Sequence, residues 1–281
     1  MTIFVSTGGE RGSKALDTAQ LWLEQGITDI ELSGGSYDPF FEEKLDRLVA
    51  RGASVTLHNY LPLKREPFVI NLASQSEEVF NKSFSHVQKC IELSEKIGAK
   101  HYAVHAGFLL DPKPRQLGGP LKNMDLFDRT VCENTFVMAV KELGELAERK
   151  NIRLLIENNV YSSSNKKLFK HNPLLMTDPN AILEILYRCE GAAGLLLDVA
   201  HLKVSSISQG FDAKAAVDSI TSLIEGLHLS DNDGLEDQNE RCAEDSWFWP
   251  VLPKVKYHVL EVYGLSTQEI KKQLVLASNR I

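Results

Sequence analysis

The stretch GLLLDVAH, Gly194–His201, decides the fold. Three leucines in a row read as a strand buried on both faces. That strand nevertheless ends in a carboxylate, Asp198, and His201 follows three residues later. Alone, each has an ordinary explanation. Aspartate often caps the helix that follows a strand, and a histidine near a strand end is often a packed core residue. The question is whether other strands of this chain end in the same way.

Working outward, seven more short β-branched or aliphatic runs recur: TIFVS (2–6), TDIEL (28–32), SVTLH (54–58), HYAVH (101–105), RLLIE (153–157), GLHLS (226–230) and YHVLE (257–261). Segments with helical apolar spacing lie between them, marked by Ala15, Ala19 and Trp22, by Val87, Ile91 and Leu93, by Val137, Val140, Leu143 and Leu146, by Ile182, Ile185 and Leu186, and by Ile270, Leu274 and Leu276. Eight strand–helix units of about 35 residues each match the arithmetic of a (β/α)8 TIM barrel. A doubly wound open sheet usually carries a glycine-rich phosphate turn after its first strand, and STGGERGS is not G-x-G-x-x-G. The expectation is therefore an α/β fold, one TIM barrel domain spanning residues 1–281. Helix-to-strand turns are tight (QGITD, RGAS, IGAK, RKNIR). Strand-to-helix loops 3, 4, 5 and 7 are long, near residues 59–74, 106–128, 158–177 and 231–246. In this fold such loops crowd the C-terminal face, where barrel enzymes place their sites.

The bulk composition narrows the function classes. The 281 residues are 43% hydrophobic and 25% charged, an ordinary globular balance. No apolar run reaches the ~18–20 residues of a membrane span, and MTIFVSTGGERG lacks the basic start of a signal peptide. A cytoplasmic protein without membrane partners is expected. Cys90, Cys132, Cys189 and Cys242 form no C-x-x-C pair, so they are expected as reduced thiols. The net charge of −7 disfavours bulk attraction to nucleic acid, although a local basic groove remains compatible with it.

Read together, the strands finish on Ser6, Glu31, His58, His105, Glu157, Asp198, His228 and Glu261. Ionisable groups at the top of an aliphatic barrel either face a site or need partners. Of eight histidines, His58, His105, His201 and His228 fall at or just beyond strand ends. His86, His101, His171 and His258 do not, and are expected to be structural or on the surface. Glu157, Asp198, His228 and Glu261 come from strands five to eight. Three carboxylates and an imidazole brought to one point repel strongly unless a cation lies between them. Oxygen ligands with one nitrogen suit Mn2+, Mg2+ or Co2+, and Zn2+ is also feasible. The competing reading is a hydrogen-bonded carboxylate cluster with raised pKa values.

With those residues in hand, the chain resembles the xylose isomerase-like barrel superfamily along its whole length. The superfamily groups sugar and sugar-phosphate isomerases and epimerases with the endonuclease IV class of abasic-site repair enzymes (AP endonuclease family 2). The matching motifs are LHNY (57–60), VHAG (104–107), IENN (156–159), LDVAH (197–201), HLSDNDG (228–234) and LEVYG (260–264). The resemblance implies that Glu157, Asp198, His228 and Glu261 bind one divalent metal, that Glu157 and Glu261 shuttle a proton as catalytic residues, and that His201 contacts substrate oxygen. For the endonuclease branch it implies two or three zinc ions, drawing on His58 and His105 with Glu157, and on His201 with an Asp-x-His pair. Here that pair reads DQN: Asp237 matches, and Asn239 stands where histidine is expected. FVINLAS (68–74) resembles the endonuclease loop after strand three.

Three functions follow from these residues. The first is a metal-dependent isomerase or epimerase of a small sugar, sugar phosphate or related hydroxy-ketone, working through a cis-enediolate. Basic residues in loops 3 to 6 (Lys64, Arg65, Lys113, Arg115, Lys122, Lys166, Lys167, Lys170, Lys203) suit an anionic substrate or are simply solvated. The second is an endonuclease IV-like zinc phosphodiesterase, with Tyr60 or Phe68 as a DNA wedge; nucleic acid is a partner only under this reading. A lyase or dehydratase with the same first proton abstraction stands beside it. The third is a ligand-binding barrel without catalysis, which the intact set of four argues against. Trp247 and Trp249 either wall the pocket or anchor a following helix, with anchoring favoured. Homodimers and tetramers are common among such barrels, so a homo-oligomer is compatible with the sequence.

Overall fold

Alternation along each strand sorts the side chains into two sets, and the computed structural model, which describes residues 2–9, 13–117, 121 and 125–281, shows where each set goes. Strands β1 (Ile3–Ser6), β2 (Asp29–Leu32), β3 (Ser54–His58), β4 (His101–His105), β5 (Arg153–Glu157), β6 (Gly194–Asp198), β7 (Ile224–Leu229) and β8 (Tyr257–Leu260) pair in parallel in sequence order, and β8 closes onto β1. Around them run α1 (Ala15–Glu24), α2 (Phe41–Ala50), α3 (Glu77–Lys96), α4 (Arg129–Arg149), α5 (Ser163–Leu168), α6 (Pro179–Arg188), α7 (Val199–Gln209), α8 (Ala213–Ile220) and α9 (Thr267–Ser278). The TIM barrel is as expected.

Outward-facing strand residues such as Ile30, Leu57, Val104, Ile156, Leu195 and Leu197 join the helices in the main core. The inward set is smaller: Ala103, Leu155, Leu196, Tyr257 and Val259 form a separate buried cluster inside the barrel, with the partly buried Phe4 packed against it. Two residues beyond Ala103, Leu155, Leu196 and Val259 stand His105, Glu157, Asp198 and Glu261. The period of two therefore aims these polar ends over the apolar plug. Gly226 makes room in that plug, because a Cβ there would stand 2.8 Å from the Tyr257 ring. The barrel base is closed by Arg153, whose guanidinium donates to both carboxylate oxygens of Glu225, and by His101 stacked on Tyr257 at 4.5 Å.

One expectation needs correction. Unit seven has no α-helix between β7 and β8: the segment holds an isolated bridge between Asp231 and Glu240 and a 3-10 turn, Trp249–Val251. Pro250 and Pro253 lack the backbone N–H that a helix needs, which stops the chain from continuing one. Trp247 and Trp249 pack against the main core and do not line the central cavity. Two helices, α7 and α8, instead follow β6. Loop 5 also contains the short helix α5, capped by Ser162.

Loops 3, 4 and 5 are tied together over the barrel mouth. Val69, Phe108, Leu110, Leu121, Tyr161 and Leu174 form an apolar cluster of their own. The Asn159 amide donates to the Ala106, Gly107 and Leu175 carbonyls, and Asn71 donates to those of Phe108 and Leu110. All four cysteines are buried free thiols. Among the described residues, no helix is long and apolar enough to cross a membrane.

Candidate metal centre

Asp198 resolves the opening question with both of its oxygens. Its Oδ1 accepts from the His201 backbone N–H at 2.7 Å, capping α7, while Oδ2 is buried and has no hydrogen-bond partner. It is a cap and a member of a cluster at once. Glu157, Asp198, His228 and Glu261 each offer one ligand atom, and these atoms all lie within 4.8 Å of one another. His228 Nδ1 is 2.9 Å from Glu261 Oε2, 3.4 Å from Glu157 Oε1 and 3.9 Å from Asp198 Oδ2.

The donor set passes a test for a divalent cation. Glu157 Oε2, Asp198 Oδ2 and His228 Nδ1 are all buried without a hydrogen-bond partner. Unpaired buried polar atoms at such a density are costly in a bare protein and are relieved by a shared ion. The electrostatics agree. Burial and the charges of Glu157, Asp237 and Glu261 push the Asp198 carboxyl up to about 7, against the pull of His201. Burial also acts to raise Glu157, but the imidazoles of His105, His228 and His58 outweigh it and hold this carboxyl well below its ordinary range. For His228 and His201, burial is overcome by the surrounding carboxylates, and both imidazoles are raised well above the usual value.

A second cluster shares Glu157. His58 Nε2 lies 3.1 Å and His105 Nε2 3.5 Å from Glu157 Oε2, and the three form a further potential ligand group. Burial lowers the His105 imidazole to about 4, so it is neutral near pH 7 with a lone pair to offer. His201 turns Nδ1 to the Asn158 carbonyl at 2.8 Å, leaving Nε2 3.2 Å from Asp237 Oδ2. All the sequence-predicted site residues thus meet at one barrel mouth. Asp237 and His201 form a pair beside these groups. Asn239 lines the same cavity, with φ at +47°.

The cavity above the cluster has a volume of about 340 Å³ and is reached by His58, His105, Glu157, His201, Asp237 and Glu261. One wall is apolar (Tyr60, Phe108, Leu117, Leu174), another polar (Asn159, Ser162, Ser164, Asn165). No lysine or arginine lines it among the described residues; Lys203 pairs with Asp231, and Lys166 donates to the Ser208 carbonyl. Lys122 lies outside the described residues. Phe68 sits edge-on to His86 beneath the Lys82 ammonium, away from the cavity lining. His86, His101, His171 and His258 are also absent from that lining.

Two residues escaped the sequence reading as parts of the site. Tyr263 lines the cavity and donates its hydroxyl to Glu261 Oε1 at 2.8 Å. Glu31 lies fully buried beneath the cluster and accepts from His228 Nε2 at 3.1 Å and from the Tyr257 hydroxyl at 3.0 Å. The signal for Glu31 was its place on the polar rim; for Tyr263 it was the period of two beyond Glu261.

Comparison with known proteins places this geometry. A family model described as xylose isomerase-like TIM barrel matches residues 19–250. Among solved structures, the TTHB071 protein from Thermus thermophilus, soaked with ZnCl2, is 20% identical with a TM-score of 0.65, covering 99% of both chains. A D-tagatose 3-epimerase-like protein is 18% identical with a TM-score of 0.69, again over 99% of both. The D-psicose 3-epimerase of Clostridium cellulolyticum H10, solved with D-tagatose, is 10% identical with a TM-score of 0.68, over 100% of this chain and 99% of its own. A search of curated protein sequences gives no match. With its family model covering most of the sequence and its closed eight-stranded barrel in agreement, the chain belongs to the xylose isomerase-like TIM-barrel family.

Proposed function

We propose that this protein is a divalent-metal-dependent isomerase or epimerase of a small sugar or related hydroxy-ketone. The observation that carries the reading is the pair of glutamates, Glu157 and Glu261, which share one ligand centre and both line the cavity above it. A bound ion would polarise a carbonyl and the neighbouring hydroxyl, making the C–H between them more acidic. Glu157, Asp198, His228 and Glu261 would hold that ion. One glutamate removes the carbon-bound proton, and the other returns a proton to the opposite face or the adjacent carbon. Tyr263 fixes Glu261 through Oε1, which keeps the carboxylate from rotating out of line. His201 and His105 stand at the cavity wall as hydrogen-bond partners for substrate oxygens. The hydroxyl and amide wall, free of basic side chains among the described residues, favours an uncharged sugar over a phosphorylated one. The epimerases among the structural neighbours support the reading at the level of reaction class.

The test is incubation of metal-reconstituted protein with free ketoses and ketose phosphates in deuterated water, followed by mass spectrometry. Deuterium is expected at a carbon next to the carbonyl, with loss of incorporation in Glu157→Gln and in Glu261→Gln while both variants stay folded. A full panel without incorporation would overturn the proposal.

A second reading rests on the His58, His105 and Glu157 group, which resembles the extra metal set of the endonuclease branch. It predicts two or three zinc ions per chain and cleavage of an abasic duplex, with binding that weakens steeply as salt rises. Asn239, a poor zinc ligand beside imidazole, counts against it.

A further inference from the structure

Beneath the proposed ligands lies a carboxylate that the chemistry described so far does not use. Glu31 comes from β2, across the barrel from β7, and is completely shielded from solvent. Its Oε2 receives two hydrogen bonds, from His228 Nε2 and from the Tyr257 hydroxyl, and its Oε1 has no hydrogen-bond partner. His58 stands close enough that Glu31, His58 and His228 also satisfy the spacing of a metal group. The hydrogen bonds argue against an ion there. An ionised carboxylate only accepts, so the proton shared with His228 sits on Nε2, and that nitrogen has no lone pair left for a metal.

The other ring nitrogen tells the complementary story. Nδ1 is 2.9 Å from Glu261 Oε2 without completing a hydrogen bond, so the hydrogen bond that holds the ring is the one from Nε2 to Glu31, while Nδ1 faces the carboxylates above. We infer that Glu31 is a positioning residue that fixes the tautomer and rotation of His228, with Nε2 protonated and the Nδ1 lone pair aimed at the centre formed with Glu157, Asp198 and Glu261. Tyr257 holds Glu31 in turn, and Gly226 leaves the space that the Tyr257 ring occupies. The device is a hydrogen-bonded column running up the inside of the barrel: Tyr257, Glu31, His228, then the ligand centre. A carboxylate behind a ligating imidazole also raises the basicity of the ligating nitrogen. This inference rests on the metal-centre part of the proposed function and not on the identity of the substrate.

The test uses zinc alone as the probe. Zinc is titrated against a chromophoric chelator for the parent, Glu31→Gln and Tyr257→Phe, with thermal unfolding of each metal-free protein measured alongside. Loss of a carboxylate behind a ligating histidine typically weakens metal binding ~10–100-fold. That loss is expected for Glu31→Gln on top of a modest fall in the metal-free unfolding midpoint, because the ionised carboxylate is held by His228 in the fold, and a smaller loss of zinc affinity is expected for Tyr257→Phe. A purely structural Glu31 would lower the metal-free midpoint and leave zinc affinity alone. Nitrogen-15 NMR of imidazole-labelled, zinc-loaded parent protein gives an independent readout that survives a variant failing to fold. His228 should show a protonated Nε2 and a metallated Nδ1. Zinc affinity within twofold of the parent in Glu31→Gln, or zinc on Nε2 of His228, would overturn the inference. A parent that binds zinc yet exchanges no carbon-bound proton sinks the isomerase reading alone; a parent that binds no zinc sinks both.

Discussion

Replacing Asp198 by asparagine should move the metal-free and the metal-loaded protein in opposite directions. The substitution nearly conserves volume, and asparagine caps helices about as well as aspartate, so the bond from the His201 N–H at the start of α7 is retained. What disappears is a negative charge that is fully buried and crowded by Glu157, Asp237 and Glu261. In the fold this carboxyl is pushed up to about 7, from an ordinary value of 3.8. A raised carboxyl costs the fold nothing below pH 3.8. Stability is then lost as pH rises through the window from 3.8 to 7 and levels off above it. About three pH units at ~1.4 kcal/mol each give a cost on the order of 4 kcal/mol at pH 8. With an unfolding entropy of ~2.1 cal/mol/K per residue, this chain changes by roughly 0.6 kcal/mol per degree. The chelated variant should therefore melt up to ~7 °C above the chelated parent at pH 8, with the gap mostly closed at pH 4. Metal reverses the order. An ion at one hundred times its dissociation constant stabilises the parent by ~2.7 kcal/mol, or ~4–5 °C, and the variant by much less. Calorimetric scans at both pH values, with chelator and with manganese or zinc, make the comparison. A chelated variant that melts below the parent at pH 8, or one with the parent's full metal-induced rise, would refute the reasoning.

Three further outcomes are expected. Gly144→Ala in α4 adds a Cβ 2.8 Å from the Ala192 Cβ and 2.9 Å from its carbonyl carbon; overpacking of ~1–3 kcal/mol should exceed the ~1 kcal/mol gain in helix propensity, lowering the urea midpoint. Burial lowers the His258 imidazole to about 4 and leaves both ring nitrogens without partners. The parent should therefore lose up to ~3 kcal/mol as pH falls from 6.5 through 4, and His258→Leu should show a shallower acid slope in chelated unfolding scans. Tyr263→Phe removes the hydrogen bond that orients Glu261; it should cut the deuterium-exchange rate by ~10-fold or more with the melting midpoint within ~1 °C, since a lost alignment acts on the reacting geometry and not on the core.

What the chain determined locally was legible in it. The strand period of two and the helical apolar spacing are short-range properties, and they suffice for the barrel and for the polar rim, because a residue's facing depends only on its place in its own strand. Glu157, Asp198, His228 and Glu261 could be grouped from sequence since consecutive parallel strands are neighbours in a barrel. The helix that the eightfold repeat implies after β7 is absent, because Pro250 and Pro253, a local signal that the repeat overrides, interrupt the segment there. Function within the rim was not local. Glu31 and His228 are 197 residues apart and meet only because β8 closes onto β1, bringing β2 within reach of β7 across the interior. Likewise the loop lysines looked available to a substrate, and tertiary structure commits Lys203 to Asp231 and Lys166 to a backbone carbonyl. Sequence set which groups stand at the mouth of the barrel. Tertiary structure alone decided which of them touch, which atom of each is left unpaired, and so where a cation would be held.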